Sequence, residues 1–209
     1  MRVFDYLIAG RADSIPKGDS GLWYTRKFFN PAHVEINRGR HRRPGYYTML
    51  LRWTDTTMHL GHGDCVMIDD LPELRTHLQA AMTAYGNVLV TGLGLACVVR
   101  MLQLNHRVER ITIVENSRDV IKLVWPFTSH DRCELIEADA VQFLESTDRR
   151  WDCAWHDLWT DTSKDEPHLQ VRHSEMLRLC FGRVDRQGAW AFPRAQKVAW
   201  RRVGGCLIT

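Results

Sequence analysis

Paired cysteines are missing from this chain. Its six, Cys65, Cys97, Cys133, Cys153, Cys180 and Cys206, stand singly, with no C-x-x-C spacing. Structural zinc is built on that spacing, so none is expected, and a thiol inside an apolar run serves as a small core residue. Ten histidines are present, but the nearest pair, His59 and His62, has no third ligand beside it, and no metal is expected. No apolar run reaches the ~20 residues that cross a bilayer, and Met1-Arg2-Val3-Phe4 leads into no signal-like segment. The expectation is a cytoplasmic protein without a membrane partner.

A dominant charge is absent too. The net charge of +3 is too small to imply nucleic acid, which is not expected as a partner. One basic cluster, Arg38-Gly39-Arg40-His41-Arg42-Arg43, either meets an anion such as phosphate or forms a solvated loop between strands; no aromatic residue interleaves it. What remains is ordinary globular material, 44% hydrophobic and 25% charged over 209 residues. That suffices for one sizeable core with a small appended subdomain, not for two full domains.

The pattern changes near residue 70. Before it, Tyr46 to Trp53 and Met58-His59-Leu60 flank the polar Thr54-Asp55-Thr56-Thr57, which reads as a β-hairpin, and Cys65 to Ile68 reads as a third short strand. Residues 1–70 are therefore expected to form an antiparallel β-hairpin subdomain. Beyond it, Pro72 opens a helix with Leu74, Leu78 and Met82 spaced by four. Strands at Val88–Thr91, Ile111–Glu115, Cys133–Ile136 and Trp151–Trp155 then alternate with helices, a further helix is expected from Pro167 to Cys180, and Gly188 to Phe192 can form one more strand. Such alternation specifies an α/β fold, a Rossmann-like parallel sheet with flanking helices, here over residues 71–209.

Ligands of such sheets bind at the carboxyl ends of the strands. After the first strand comes Gly92-Leu93-Gly94-Leu95-Ala96. The first glycine permits a tight turn, the second a close backbone approach, and Ala96 is small enough for the next helix to lie near the sheet. A dinucleotide fingerprint would need its third glycine at Cys97. Glu115 follows the second strand about 20 residues on, where a carboxylate can accept both ribose hydroxyls. Asn116 is beside it, Ala138-Asp139-Ala140 follows the third strand, and His156-Asp157-Leu158-Trp159-Thr160-Asp161 follows the fourth. Together these groups suit an adenosyl ligand, which needs a carboxylate for ribose, an acceptor for the adenine amino group and apolar surface for the ring.

The glycine turn, with its G-x-G-x-G/A spacing, resembles the first motif of class I S-adenosylmethionine-dependent transferases. Within them the chain resembles the spermidine synthase-like branch. Asp139-Ala140-Val141-Gln142-Phe143-Leu144 matches its D-A-x-x-F/W-L motif, and Trp151-Asp152-Cys153-Ala154-Trp155-His156-Asp157 matches its aspartate-ended strand. Gly63 to Glu73 is similar to its strand-and-acidic-helix entry. The run Trp155 to Asp161, with Gln187-Gly188-Ala189-Trp190, also looks like small phage-encoded proteins of this branch. The resemblance implies S-adenosyl-L-methionine, or a decarboxylated or methylthioadenosine-type analogue, as cofactor. It sets Gly92 and Gly94 near the methionine part, Glu115 on ribose, Asp139 and Ala140 at adenine, and Asp157 at the reacting centre. His156, Trp159 and Asp161 become candidates for contact with the acceptor.

The match also departs from the family. The serine pair and Asp-Pro that follow the catalytic aspartate of spermidine synthases are missing, which counts against polyamine recognition. The D/N-P-P-Y/F/W motif of nucleobase amino-methyltransferases is missing as well. Arg194 to Arg202 reads as a basic helix, so the family's sixth and seventh strands are not expected; either a second copy or a partner protein completes the site, or the chain binds cofactor without ordinary transferase activity. The expected functions are a transferase, foremost a methyltransferase; a non-catalytic or cofactor-sequestering adenosyl-binding protein acting through a partner; an aminopropyltransferase; and a basic nucleic-acid binder.

Overall fold

The computed structural model describes residues 2–37, 40–58, 62–158, 175–190 and 201–202. The chain opens with helix α1 (Val3–Ala9), followed by β1 (Gly18–Ser20), β2 (Trp23–Asn30), β3 (Val34–Asn37), β4 (Arg40–Arg42), β5 (Gly45–Arg52), the helical turn α2 (Asp55–Met58) and β6 (Asp64–Ile68). Strands β1, β2, β5 and β6 form an antiparallel sheet, and β3 pairs with β4 in a separate ribbon. The basic cluster thus lies partly in a strand, and its Arg42 pairs with Asp70 at 3.0 Å; Arg38 and Gly39 fall outside the described residues.

Two expectations for this region are corrected. The hairpin turn expected at Thr54–Thr57 is the start of α2. The Thr54 carbonyl accepts from the Thr57 and Met58 amides at 3.0 and 2.9 Å, and Thr57 Oγ1 accepts from the Thr54 amide at 2.9 Å. These polar residues satisfy one another as a helix cap, so Met58 is helical, and β5 pairs with β6 instead. His59 to Gly61 lie outside the described residues. Helix α1 was not legible: Phe4 and Ile8 are exposed, and Tyr6 joins Ala12 and Ile15 in the main core with Leu7 half-buried against it.

From Asp70 the chain runs α3 (Leu71–Thr83), β7 (Gly86–Thr91), α4 (Cys97–Leu104), β8 (Val108–Glu115), α5 (Arg118–Val124), β9 (Cys133–Glu137), α6 (Ala140–Ser146), β10 (Trp151–His156), β11 (Val184–Ala189) and β12 (Arg201–Arg202). Side-chain caps start α3, α5 and α6. Asp70 caps α3 by accepting from the Glu73 amide, and Ser117 caps α5 through the Val120 amide. Of the helix expected from Pro167 to Cys180, residues 175–179 are helical and 167–174 lie outside the described residues. Arg201 and Arg202, expected as the end of a helix, instead pair antiparallel with Gln187 and Arg186 as a short edge strand.

The large sheet has the order β12-β11-β10-β7-β8-β9, and β7 to β11 are parallel. It is a Rossmann-like sheet with helices on both faces. Along β7, Val88 and Val90 belong to one buried core and Leu89 to the other, which is why this strand reads as a continuous apolar run. Strand order reverses at β7: the chain first builds outward through β8 and β9, then returns to add β10 and β11 on the other side. A crevice opens at the carboxyl edge where neighbouring connections part, the usual ligand position in such sheets.

Candidate functional site

The turn after β7 is held in left-handed backbone at three alternate residues, Gly92 (φ +93°), Gly94 (φ +49°) and Ala96 (φ +57°). A side chain at Gly92 would run into the carbonyl oxygen of Asp157. The first glycine therefore lets two strand ends meet backbone to backbone. At Gly94 a Cβ would fall 2.7 Å from the Met67 sulfur. Ala96 is fully buried, and its Cβ already bears the cost of left-handed backbone to an L residue, about 1–2 kcal/mol.

Glu115 ends β8 and reaches back to this turn. One carboxylate oxygen accepts the Leu93 amide and the other the Ser117 amide, both at 2.8 Å. Burial raises the proton affinity of the carboxyl and these amides oppose the rise. Asn116, next in the chain, is exposed. After β9, Asp139 caps α6, its Oδ1 accepting from the Val141 and Gln142 amides at 2.9 and 3.1 Å, and Ala140 is buried at the first helical position.

Asp157 follows β10, held by its amide to the Thr91 carbonyl at 2.8 Å. Its side chain is 15% exposed. Burial, with the charge of Glu115 second, pushes its carboxyl up to about 7. Beneath it lies His77 of α3, whose Nε2 is 3.8 Å from Asp157 Oδ2. Sequence reasoning missed this histidine, because a lone His on an apolar helix face carries no signal of what it will meet.

The seven residues Gly92, Gly94, Glu115, Asn116, Asp139, Ala140 and Asp157 border one open cleft. His156 does not: it is fully buried within the sheet, with Nδ1 3.0 Å from Thr91 Oγ1 and Nε2 3.3 Å from Gln187 Oε1. Trp159 and Asp161 lie outside the described residues. The cleft also takes walls that were not foreseen, Trp23, Leu50 and Val66 from the antiparallel sheet. From that sheet Met67 reaches into the glycine turn, where its sulfur accepts the Leu95 amide at 3.1 Å. Alternation along β2, β5 and β6 could have shown which residues share a face, but not that this face covers the turn.

No family model matches the chain, and no curated protein matches it. Among solved structures it is similar to spermidine synthase from Thermotoga maritima, with 16% identity and a TM-score of 0.47 over 84% of this chain and 56% of that one. It is similar to precorrin 8W decarboxylase from Methanobacterium thermoautotrophicum, with 22% identity and a TM-score of 0.40 over 56% of this chain and 61% of that one. A putative RNA methyltransferase from Pyrococcus horikoshii gives 13% identity and a TM-score of 0.37 over 49% and 47%. The chain thus spans less than two thirds of the length of each.

Proposed function

We propose that this chain is an S-adenosylmethionine-dependent transferase whose cofactor lies in the cleft at the carboxyl edge of the parallel sheet. In this reading residues 71–209 bind the cofactor and residues 1–70 cover it. The observation that carries it is the convergence of Glu115, Asp139 and Asp157 on one cleft, beside a glycine turn in which the Leu93, Leu95 and Ala96 amides are already engaged. A pyrophosphate needs open amides at the turn. Here the Leu93 amide donates to Glu115, that of Leu95 to the Met67 sulfur, and that of Ala96 to the Leu93 carbonyl. This favours an adenosyl group over a dinucleotide.

The donor set fits that group. Glu115 is held rigid by two amides yet keeps lone pairs for two ribose hydroxyls. Asp139 offers its second carboxylate oxygen to the adenine amino group, and Val114, Ala138 and Ala140 supply apolar surface for the ring. When bound, S-adenosylmethionine supplies an electrophilic carbon beside its sulfonium. Asp157 supplies the base: with a carboxyl that titrates near 7, it takes a proton from an acceptor N–H or O–H at neutral pH. Trp23, Leu50 and Leu158 line the same cleft as apolar surface.

A second reading has its own support. The described residues lining the cleft include three carboxylates and no Lys, Arg or His. An α-carboxylate on the ligand would find no cation among them, whereas a ligand without one, decarboxylated S-adenosylmethionine or methylthioadenosine, would not need it. Aminopropyl transfer therefore stands beside methyl transfer.

The test is turnover of labelled S-adenosylmethionine and of its decarboxylated form against a panel of small amines, alcohols and nucleosides, with Asp157→Asn alongside. Asp157→Asn is expected to bind cofactor as the wild type does and to lose at least 100-fold in rate, the usual minimum for a general base. Unchanged turnover would assign Asp157 to structure alone.

A further inference from the structure

His77 stands in the middle of α3, one turn after Glu73, with no exposed surface. Neither of its ring nitrogens has a hydrogen-bond partner among the described residues. Buried polar groups are nearly always paired, so an unpaired imidazole next to the cleft calls for a reason. Its Nε2 lies 3.8 Å from Asp157 Oδ2 and 3.7 Å from Glu73 Oε1. Both separations exceed a hydrogen bond by less than about 1 Å. Trp155 meets the ring edge-on, centroids 5.7 Å apart at 85°.

We propose that His77 and Asp157 close into a proton-sharing pair, in which His77 Nε2 orients the Asp157 carboxyl from beneath and shares the proton that Asp157 takes up at the cleft. His77 is thus a positioning residue; its service to group transfer rests on the transferase reading above, while the pair itself does not. The groups facing the imidazole are Glu73 on its own helix, Asp157 after β10 and the Trp155 ring. Glu115 acts on Asp157 from the end of β8. Cys97, at the start of α4, lies in the field of Glu73 and Asp157, and burial pushes its thiol well above the ordinary value, so it stays uncharged.

The pairing has an electrostatic logic. Burial lowers His77 to about 3 and raises Asp157 to about 7, so between those limits the two groups together hold one titratable proton. Carboxyl with imidazole, or carboxylate with imidazolium, gives the same net charge. The proton can cross between them without adding charge to a buried site, which is where an added charge is most costly.

The test is made on the ligand-free full chain, so it reports on the pair whether or not an adenosyl ligand binds. Carbon-13 labelling of aspartate carboxyls and nitrogen-15 labelling of histidine follow Asp157 and His77 through pH 5 to 9 by NMR. In the wild type, His77 Nε2 is expected to shift with the same midpoint as the Asp157 carboxyl. His77→Leu should move the Asp157 midpoint downward by about one pH unit or more, a tenfold loss of proton affinity, because the carboxyl proton loses its acceptor, and His77→Gln, which keeps an acceptor oxygen, should restore most of it. A His77 Nε2 signal that does not respond while Asp157 titrates overturns the proposal, and that wild-type result stands even if the leucine variant fails to fold. An unchanged Asp157 midpoint in both variants overturns it as well.

Discussion

Asp157 and His77 carry opposite pH signatures. Asp157 keeps its proton up to about 7 against an ordinary 3.8, so its contribution to stability is complete below 3.8 and is lost as pH rises through 7. His77 stays neutral down to about 3 against an ordinary 6.5, so its contribution is complete above 6.5 and is lost as pH falls through 3. In the wild type the two slopes oppose one another over the shared range and nearly cancel. Asp157→Asn should therefore leave a stability that rises between about pH 4 and 6.5, and His77→Gln one that falls there. Urea denaturation at a series of pH values reads both; parallel curves for the wild type and the two variants would contradict the assignment. At this scale the positions of Glu115, Asp139 and Asp157 were legible, because a carboxylate at the end of an apolar run emerges at the sheet edge, whereas His156, one residue before Asp157, stays buried in the sheet. His77 and Met67 were not, since their meaning lies in partners from distant parts of the chain.

Among the elements, α6 and the glycine turn have a structural duty and, in the proposed reading, a functional one, and substitutions can separate the two. Asp139 caps α6 through one oxygen. Asp139→Ala should cost about 1 kcal/mol of stability, whereas Asp139→Ser should retain the cap. If Asp139 also meets adenine, both variants should weaken adenosyl binding while only the alanine variant lowers the melting temperature. Equal binding by all three proteins would leave Asp139 as a cap and nothing more. Gly92→Ala faces a left-handed φ of +93° and the Asp157 carbonyl at once. It should destabilise by more than the 1–2 kcal/mol of the backbone conformation alone, measurable by thermal unfolding, and should displace Asp157. The parallel strands were legible because strands buried on both faces form unbroken β-branched runs. The hairpin before α2 was misread because threonine and aspartate serve turns and helix caps equally well. The left-handed Ala96 was invisible, since nothing in the sequence separates an alanine chosen for size from one held at positive φ.

At the scale of the molecule, the two larger sheets of the described residues meet over one cleft. The parallel sheet supplies the carboxylates from the ends of β8, β9 and β10, and the antiparallel sheet supplies Trp23, Leu50 and Val66 as a wall. Met67 ties the two together through the Leu95 amide. The fold of the larger sheet follows from alternating periods in the sequence; the way the smaller sheet lies across it depends on long-range packing that no local pattern encodes. Ligand binding to such a cleft should stabilise the chain by mass action, about 2.7 kcal/mol at a hundredfold excess over Kd.

Calorimetric titration of the full chain with S-adenosylmethionine, its decarboxylated form, methylthioadenosine and NAD, on the wild type and Glu115→Ala, tests the central claim most directly. The adenosyl thioethers or sulfonium compounds should bind and NAD should not. Glu115→Ala should weaken binding by roughly 1.5–3 kcal/mol, the range for a charged hydrogen bond. No binding by any adenosyl ligand, or binding of NAD that equals theirs, would contradict the account.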